Sequence, residues 1–327
     1  MKKTIVAIMS FFILIIVMTV IVMCFKTETT IKDENKIQIV ATLFPQYDFA
    51  KQIVGDKADV KLLLSSGVEA HNYEPTAKDM MTILNTSDVF LYNGTKLEPW
   101  TENIVENLKD YDCKIVNVSE GIELIKLEEF EEKNINSEIL TEEHHDEEHH
   151  HHHDEEIYDG HIWQNPNNAI QMLENTLKAI CEIDSQNAEY YKQNAEEYKK
   201  QILKLEQELR SITENAERKE IAVGGEFAYA YLIDAYNLKF VSVYTNCGEG
   251  EDPSIAKVKS VIDYINKYNM SVVYYEELSE GTVAKMIAEE TDAKPLVLYS
   301  IHNGDIEKDS YVSLLKKNIE ALKEGLK

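Results

Sequence analysis

NAEYYKQNAEEYKKQILKLEQELRSITENA, residues Asn187–Ala216, carries apolar side chains at Ala188, Tyr191, Ala195, Tyr198, Ile202, Leu205, Leu209 and Ile212. The intervals alternate strictly between three and four, which lays one narrow apolar stripe along a helix. At 1.5 Å per residue, about thirty residues extend about 45 Å, roughly a domain's breadth or more. A short dimeric coiled coil needs about four heptad-like steps, and the stretch has them. A stiff spine across the join of two domains needs globular segments on both sides, and the flanking sequence favours this second reading.

Upstream, strands are predicted over Lys36–Leu43, Val60–Leu64, Asp88–Tyr92 and Cys113–Val118. Helices are predicted over Tyr47–Val54 and Trp100–Leu108, with another whose first turn holds Pro75. Downstream, strands Glu220–Val223, Lys239–Tyr244, Ser271–Tyr275 and Pro295–Ser300 alternate with helices Phe227–Tyr236, Ile255–Tyr268, Glu280–Glu290 and Tyr311–Leu326. Alternation of this kind implies parallel sheets. The expected fold class is α/β: two α/β lobes with parallel sheets joined by a long bridging helix. The expected divisions are 1–24, signal peptide or membrane anchor; 25–35, polar spacer; 36–186, N-terminal lobe; 187–216, bridging helix; and 217–327, C-terminal lobe. Within the first lobe, residues 120–158 lose periodicity and are expected to be a surface excursion.

The chain has 327 residues, 44% of them hydrophobic, enough for two cores. Its net charge of -26 argues against nucleic acid and anionic lipid as partners and favours cations. The N-terminus opens with two lysines and an apolar run from Ile5 to Phe25 broken only by Ser10 and Thr19. About 20 apolar residues span a bilayer, so an uncleaved helix is physically possible. Cys24, at the end of the run, stands where bacterial lipoprotein signals place the cysteine that is cleaved and acylated. Ile21, Val22 and Met23 depart from the small residue usual before it. Either anchor tethers an outward-facing chain. Cys113, Cys181 and Cys247 form no CxxC pair and are expected to be reduced and partly buried.

TEEHHDEEHHHHHDEEIYDGHIWQNP, Thr141–Pro166, packs His144, His145, His149, His150, His151, His152 and His153 among acids, then sets His161 before an Asn-Pro turn. Imidazole suits zinc, copper, nickel and iron, and carboxylates add charge that holds a dication. The tract's mid-chain position and interruption by Asp and Glu argue against an expression tag. Its like charges predict a disordered loop, which is compatible with metal capture. Of the ten histidines, His71, His161 and His302 remain to build anything else. His71, Glu226, Glu276 or Glu277, and His302 all follow the carboxyl ends of predicted strands, the edge where open α/β sheets bind ligands. His161 lies in an irregular segment free to reach that edge, so the metal site is expected in the interdomain cleft.

From about Lys36 to its end the chain resembles the metal-specific solute-binding lipoproteins of bacterial ABC importers for zinc and manganese. GVEAHNYEPTAKDM (67–80) is similar to that family's segment around its first ligand histidine, and DGHIWQNPNNAI (159–170) to its Asp-Pro-His-x-Trp-x-x-Pro segment. DSQNAEYYKQNAEEY (184–198) resembles the spine region and SIHN (300–303) the surroundings of the fourth ligand. The resemblance implies one divalent ion bound between two lobes and handed to a membrane permease. It carries the ligand roles to His71, His161, Glu226 and His302. Glu226 falls where zinc-type members have histidine and manganese-type members glutamate. His302 and Asn303 stand where aspartate is common, and Gly160 replaces a usual proline, which is expected to loosen the loop around His161. Three imidazoles and one carboxylate fit tetrahedral zinc, whereas manganese prefers more oxygens. Zn2+ is therefore the expected ligand and Mn2+ the alternative. Glu69, Glu276 and Glu277 stand as further ligands or supports, and the tract histidines as accessory weak sites.

A monomer working with an ABC importer permease is expected, with no catalytic residues. There is no HExxH, no GxSxG and no nucleophile beside a base, so a zinc hydrolase has little support. A surface adhesin or metal buffer on the same fold is the competing function. Zinc affinity is expected to fall as pH drops through about 6.5, because protonated imidazole cannot ligate. Titrations at about pH 7.5 and about pH 5 that give equal affinity would contradict a site built mainly from histidines.

Overall fold

Short β-branched runs alternate with amphipathic helices in the computed structural model, which describes residues 36–71, 73–95, 97–109, 111–135, 157–244 and 253–327. Cys24 and its apolar run, the histidines of the 144–153 tract and Cys247 lie outside the described residues. Strands β1 (Gln38–Ala41), β2 (Asp59–Leu62), β3 (Val89–Tyr92) and β4 (Lys114–Asn117) form one parallel sheet in the order β2-β1-β3-β4. Strands β5 (Glu220–Val223), β6 (Lys239–Ser242), β7 (Val272–Tyr275) and β8 (Lys294–Val297) repeat the plan as β6-β5-β7-β8. Consecutive residues Ile39, Val40 and Ala41 are all buried, as parallel strands covered by helices on both faces require. In each sheet the strand order reverses beside the first strand. The crevice at the carboxyl ends there is the natural place for a ligand.

The helices are α1 (Phe44–Val54), α2 (Ala77–Thr86), α3 (Thr101–Leu108), α4 (Leu127–Asn134), α5 (Pro166–Ile183), α6 (Ala188–Glu214), α7 (Ala230–Ala235), α8 (Ile255–Tyr268), α9 (Thr282–Glu289) and α10 (Tyr311–Gly325). Pro75 is not inside the first turn of α2. Thr76 is the cap, accepting from the Asp79 N–H while the Asp79 carboxylate accepts from the Thr76 N–H, so Pro75 precedes the helix. Proline does occupy the first turn of α5, where the Asn165 side chain caps the helix by accepting from the Asn167 N–H. Among the described residues no helix is long and apolar enough to cross a membrane. Cys113 and Cys181 are free and half-buried.

The bridging helix is α6. Its 27 residues extend about 40 Å, and Tyr191, Ala195, Tyr198, Ile202, Leu205 and Leu209 are buried along one stripe. That stripe packs on α1, α5 and α10, so it is covered within the chain, unlike a coiled-coil seam awaiting a second copy. Residues Ile37–Lys327 form one compact unit. Its joint is the carboxylate of Asp48 on α1, which accepts from the Tyr198 hydroxyl of α6 at 2.5 Å, the Tyr311 N–H that opens α10 at 3.0 Å, and Gln52 at 3.1 Å. Burial pushes this carboxyl up from its ordinary value against those three hydrogen bonds.

The excursion expected at the surface over 120–158 starts inside the molecule. Helix α4 falls within it, and Phe130 is buried, stacked on Phe240 at 5.6 Å between centroids, while Ile135 pairs with Phe240 as a parallel bridge. One aromatic in two turns was enough to anchor a segment too acidic to show helical patterning. The two ends of the excursion are clasped by the Lys126–Tyr158 bridge, with Leu127 N donating to Ile157 O and Asp159 N to Ile125 O.

Tyr198→Phe removes the short donor to Asp48 and the acceptor of the Val312 N–H at 3.3 Å. Leaving a buried carboxylate short of one partner costs about 1–3 kcal/mol. Urea unfolding should therefore show stability lowered by about 1–3 kcal/mol, read as a lower midpoint with an unchanged slope.

Candidate metal centre

Glu69 and His71 lie in the loop after β2. Asn303 holds that loop from the other sheet, accepting from the Gly67 N–H at 2.9 Å and donating to the Val68 carbonyl at 3.1 Å. His161 opens the 3-10 turn Ile162–Gln164 that leads into α5. Gly160 before it is buried and is far from loose: a Cβ there would meet Leu97 Cβ at 2.6 Å, and its carbonyl accepts from Asn93 at 2.8 Å. The expected loosening is thus replaced by a tight fit in which proline would clash. His302 follows β8, reached through Ile301 with φ of 62°, a left-handed conformation that is strained for a β-branched residue.

The structure brings the three histidines together from both halves of the chain. Ring centroids are 5.4 Å apart for His71 and His161, 5.9 Å for His161 and His302, and 6.4 Å for His71 and His302. Three imidazoles around a tetrahedral zinc, with about 2.0–2.1 Å from metal to nitrogen, have centroids about 5.2 Å apart. The trio is gathered but slightly open. Consistently, among the described residues no three His, Cys, Asp or Glu groups are closed tightly enough to hold an ion as they stand.

Each ring is held at Nδ1 by an oxygen two residues earlier. His71 Nδ1 is 2.7 Å from Glu69 Oε1, His161 Nδ1 is 3.3 Å from Asp159 Oδ1, and His302 Nδ1 is 2.6 Å from Ser300 Oγ. The single hydroxyl proton of Ser300 goes to Glu277 at 2.8 Å, so Ser300 accepts from His302 Nδ1–H and leaves a lone pair on Nε2. Among the described residues the buried Nε2 atoms of His161 and His302 have no hydrogen-bond partner. Such outer oxygens fix ring orientation and tautomer, as around bound metals. Burial pushes the His161 ring down from its ordinary value, Asp159 opposing and the other two rings assisting. For His302, burial also works downward, but Glu69, then Glu277 and Glu226, outweigh it and raise the ring.

The acids divide. Glu69 sits among the histidines, with Oε2 3.6 Å from His302 Nε2, an ion-pair distance rather than a hydrogen bond. Burial would raise its carboxyl, yet His302 and His71 hold it far below the usual range. Glu277 accepts from the Ser300 N–H and hydroxyl and acts through His302. Glu226 and Glu276 line, with Glu69, an adjoining cavity of about 440 Å³. Sequence reading missed the bracing by Asp159 and Ser300, and it set Asn303 beside the fourth ligand without its role in holding the Gly67–Val68 loop. The first two were signalled by the shared spacing of oxygen-x-histidine at 69/71, 159/161 and 300/302; Asn303 had no such signal.

Comparison with known proteins fits this geometry. Residues 39–325 match the family model described as zinc-uptake complex component A, periplasmic. The high-affinity zinc uptake system protein ZnuA of Bacillus subtilis is 32% identical over 296 residues, covering 89% of this chain and 88% of that protein. The zinc-binding lipoprotein AdcA of Streptococcus pneumoniae (strain R6) is 28% identical over 295 residues, 89% of this chain, which spans 56% of its length. Crystal structures of the metal-dependent lipoprotein YcdH from Bacillus subtilis and of the Zn(II)-bound ZnuA-like domain of Streptococcus pneumoniae AdcA share the fold. Their TM-scores are 0.72 and 0.71, at 31% and 26% identity, covering 89% of this chain in both cases and 100% and 99% of those chains. Matched over most of its length, with the doubled parallel sheet and bridging helix in place, the chain belongs to the periplasmic zinc-uptake component A family of metal-binding proteins.

Proposed function

We propose that this protein captures one zinc ion outside the cytoplasm and delivers it to an ABC-type importer in the membrane. The carrying observation is the trio of histidines, each braced at Nδ1, with two buried Nε2 atoms that have no hydrogen-bond partner among the described residues. An unmet buried polar atom costs about 1–3 kcal/mol, so the arrangement is poor as packing and good as a ligand set. Zinc supplies the missing partner, and closing the trio from 5.4–6.4 Å to about 5.2 Å needs only a small approach of the two lobes. Relatives named for zinc binding and zinc uptake support the choice of ion. Manganese is the alternative, drawn by the neighbouring carboxylates.

The fourth donor is a carboxylate. Glu226 is the proposed one, close enough that its charge helps raise His302. Glu69 is the competing reading, favoured by its contacts of 2.7 and 3.6 Å with His71 and His302. Glu276 and Glu277 fall outside the zinc set. In a cobalt-substituted protein, Glu226→Gln is expected to change the visible spectrum, whereas Glu69→Gln is expected to keep its shape and lower affinity about 10–100-fold, as outer-shell losses do. The reverse pattern would make Glu69 the ligand.

The chain acts as a monomer tethered at its N-terminus, by acylated Cys24 or by a retained helix, and the 144–153 histidines collect zinc weakly ahead of the tight site. Deleting His144–His153 should spare one tight zinc equivalent and remove several weak ones. His161→Ala should weaken the tight equivalent by more than about 100-fold, beyond an outer-shell effect. Competition titration against a chelator reads both, and loss of the tight equivalent on tract deletion would move the site to the tract.

A further inference from the structure

The clasp at the two ends of the excursion leaves one rung of its ladder open. Leu127 N donates to Ile157 O and Asp159 N to Ile125 O, on either side of the Lys126–Tyr158 bridge. In an antiparallel ladder this alternation makes Ile125 and Asp159 a hydrogen-bonded pair, which exchanges two bonds. Only one of the two is made directly. In place of the other stands the hydroxyl of Tyr231, which accepts from the Ile125 N–H at 3.1 Å and donates to the Asp159 carbonyl at 3.3 Å. A hydroxyl has one proton and spare lone pairs, so it satisfies both ends of the opened rung. Burial pushes this hydroxyl far up from its ordinary value, the Ile125 N–H opposing and Asp159 adding, so it keeps the proton that it donates.

Tyr231 does not belong to the ladder. It is 2% exposed and comes from α7, in the second lobe, 106 residues from Ile125 and 72 from Asp159. The residue it grips is the one that braces His161: the Asp159 carboxylate accepts from the His161 N–H at 2.7 Å and lies 3.3 Å from His161 Nδ1. The next carbonyl, that of Gly160, accepts from Asn93 of the first lobe at 2.8 Å. Two consecutive carbonyls ahead of His161 are thus held from opposite lobes.

A tyrosine that only filled space would leave the ladder closed. Opening a rung to admit a hydroxyl from the other lobe makes the position of Asp159 depend on that lobe. We propose that Tyr231 is a positioning residue for metal capture, acting through Asp159 to orient the His161 ring. The inference rests on the zinc reading of the histidines and adds a residue that touches none of them.

The test compares the full chain with Tyr231→Phe, Asp159→Ala, the double variant and Tyr274→Phe. Tight zinc affinity is read by competition with a chelator, and urea unfolding is followed in parallel. Tyr231→Phe keeps the ring in its packing and removes one oxygen; it is expected to lower zinc affinity about tenfold, the lower end of outer-shell losses. In the Asp159→Ala background the same change should cost less than about threefold, because the carboxylate it positions is gone. Tyr274→Phe removes another buried hydroxyl of the second lobe, one that donates to the Ala321 carbonyl at 3.1 Å, and should leave zinc affinity within about threefold of wild type. A merely structural role would lower stability in both tyrosine variants and show no dependence on Asp159. Wild-type zinc affinity in Tyr231→Phe overturns the proposal, as does an equal loss with and without the Asp159 carboxylate. Absence of the tight zinc equivalent in the wild type would instead count against the zinc reading.

Discussion

Everything at the centre depends on how the two halves of the chain are stitched at the carbonyl of Ser300. Trp163 Nε1 donates to it at 2.7 Å and Gln164 Nε2 at 2.6 Å, both from the turn that begins at His161. The same residue, through its hydroxyl and N–H, is held by Glu277 and in turn holds His302. Two buried donors on one carbonyl thus bind the segment carrying one histidine to the segment carrying another. The Tyr311 hydroxyl donates to the Trp163 carbonyl at 2.7 Å and extends the stitch to the last helix. Side chains supplied by separate sheets can stay within a few ångströms of a common point only if such bonds outweigh the tendency of lobes to drift.

Much of the fold was legible. The three-four spacing of apolar residues set the bridging helix to within two residues of Ala188–Glu214, and β5 and α8 fall where their patterns put them. Alternation of strand and helix gave the parallel sheets. The histidines were legible too, because only three lay outside the tract and all followed strand ends or irregular backbone. What escaped was tertiary. The acidic segment of α4 is fixed by Phe130 against Phe240, a residue over a hundred positions away, and no local pattern announces that. The role of Gly160 depends on Leu97, and the capping at Thr76 shifted the α2 start past Pro75. Carboxylates were the hardest to rank. Glu69, Glu226, Glu276 and Glu277 look alike in sequence, yet one pairs with two histidines, one supports a serine and two line a cavity.

The donors are segregated rather than mixed. The three imidazoles meet on one side, each with an oxygen at its Nδ1, while Glu226 and Glu276 line the cavity on the other. Soft and hard chemistries therefore lie side by side with Glu69 between them. Strain at Ile301 is tolerated at the junction because Ser300 and His302 on either side are each held by short bonds.

The repeated strand order has an electrostatic corollary. In a parallel sheet each following helix begins at the carboxyl edge, so the partial positive charge of its N-terminus points into the crevice, an arrangement that ordinarily recruits anions. Here the start of α1 is partly neutralised, its Phe44 N–H donating to the His302 carbonyl at 3.3 Å. Glu69, Asp159, Glu226, Glu276 and Glu277 then crowd the same edge. Their density reverses the native polarity of the fold, turning an architecture biased toward phosphate and carboxylate into one that draws in dications.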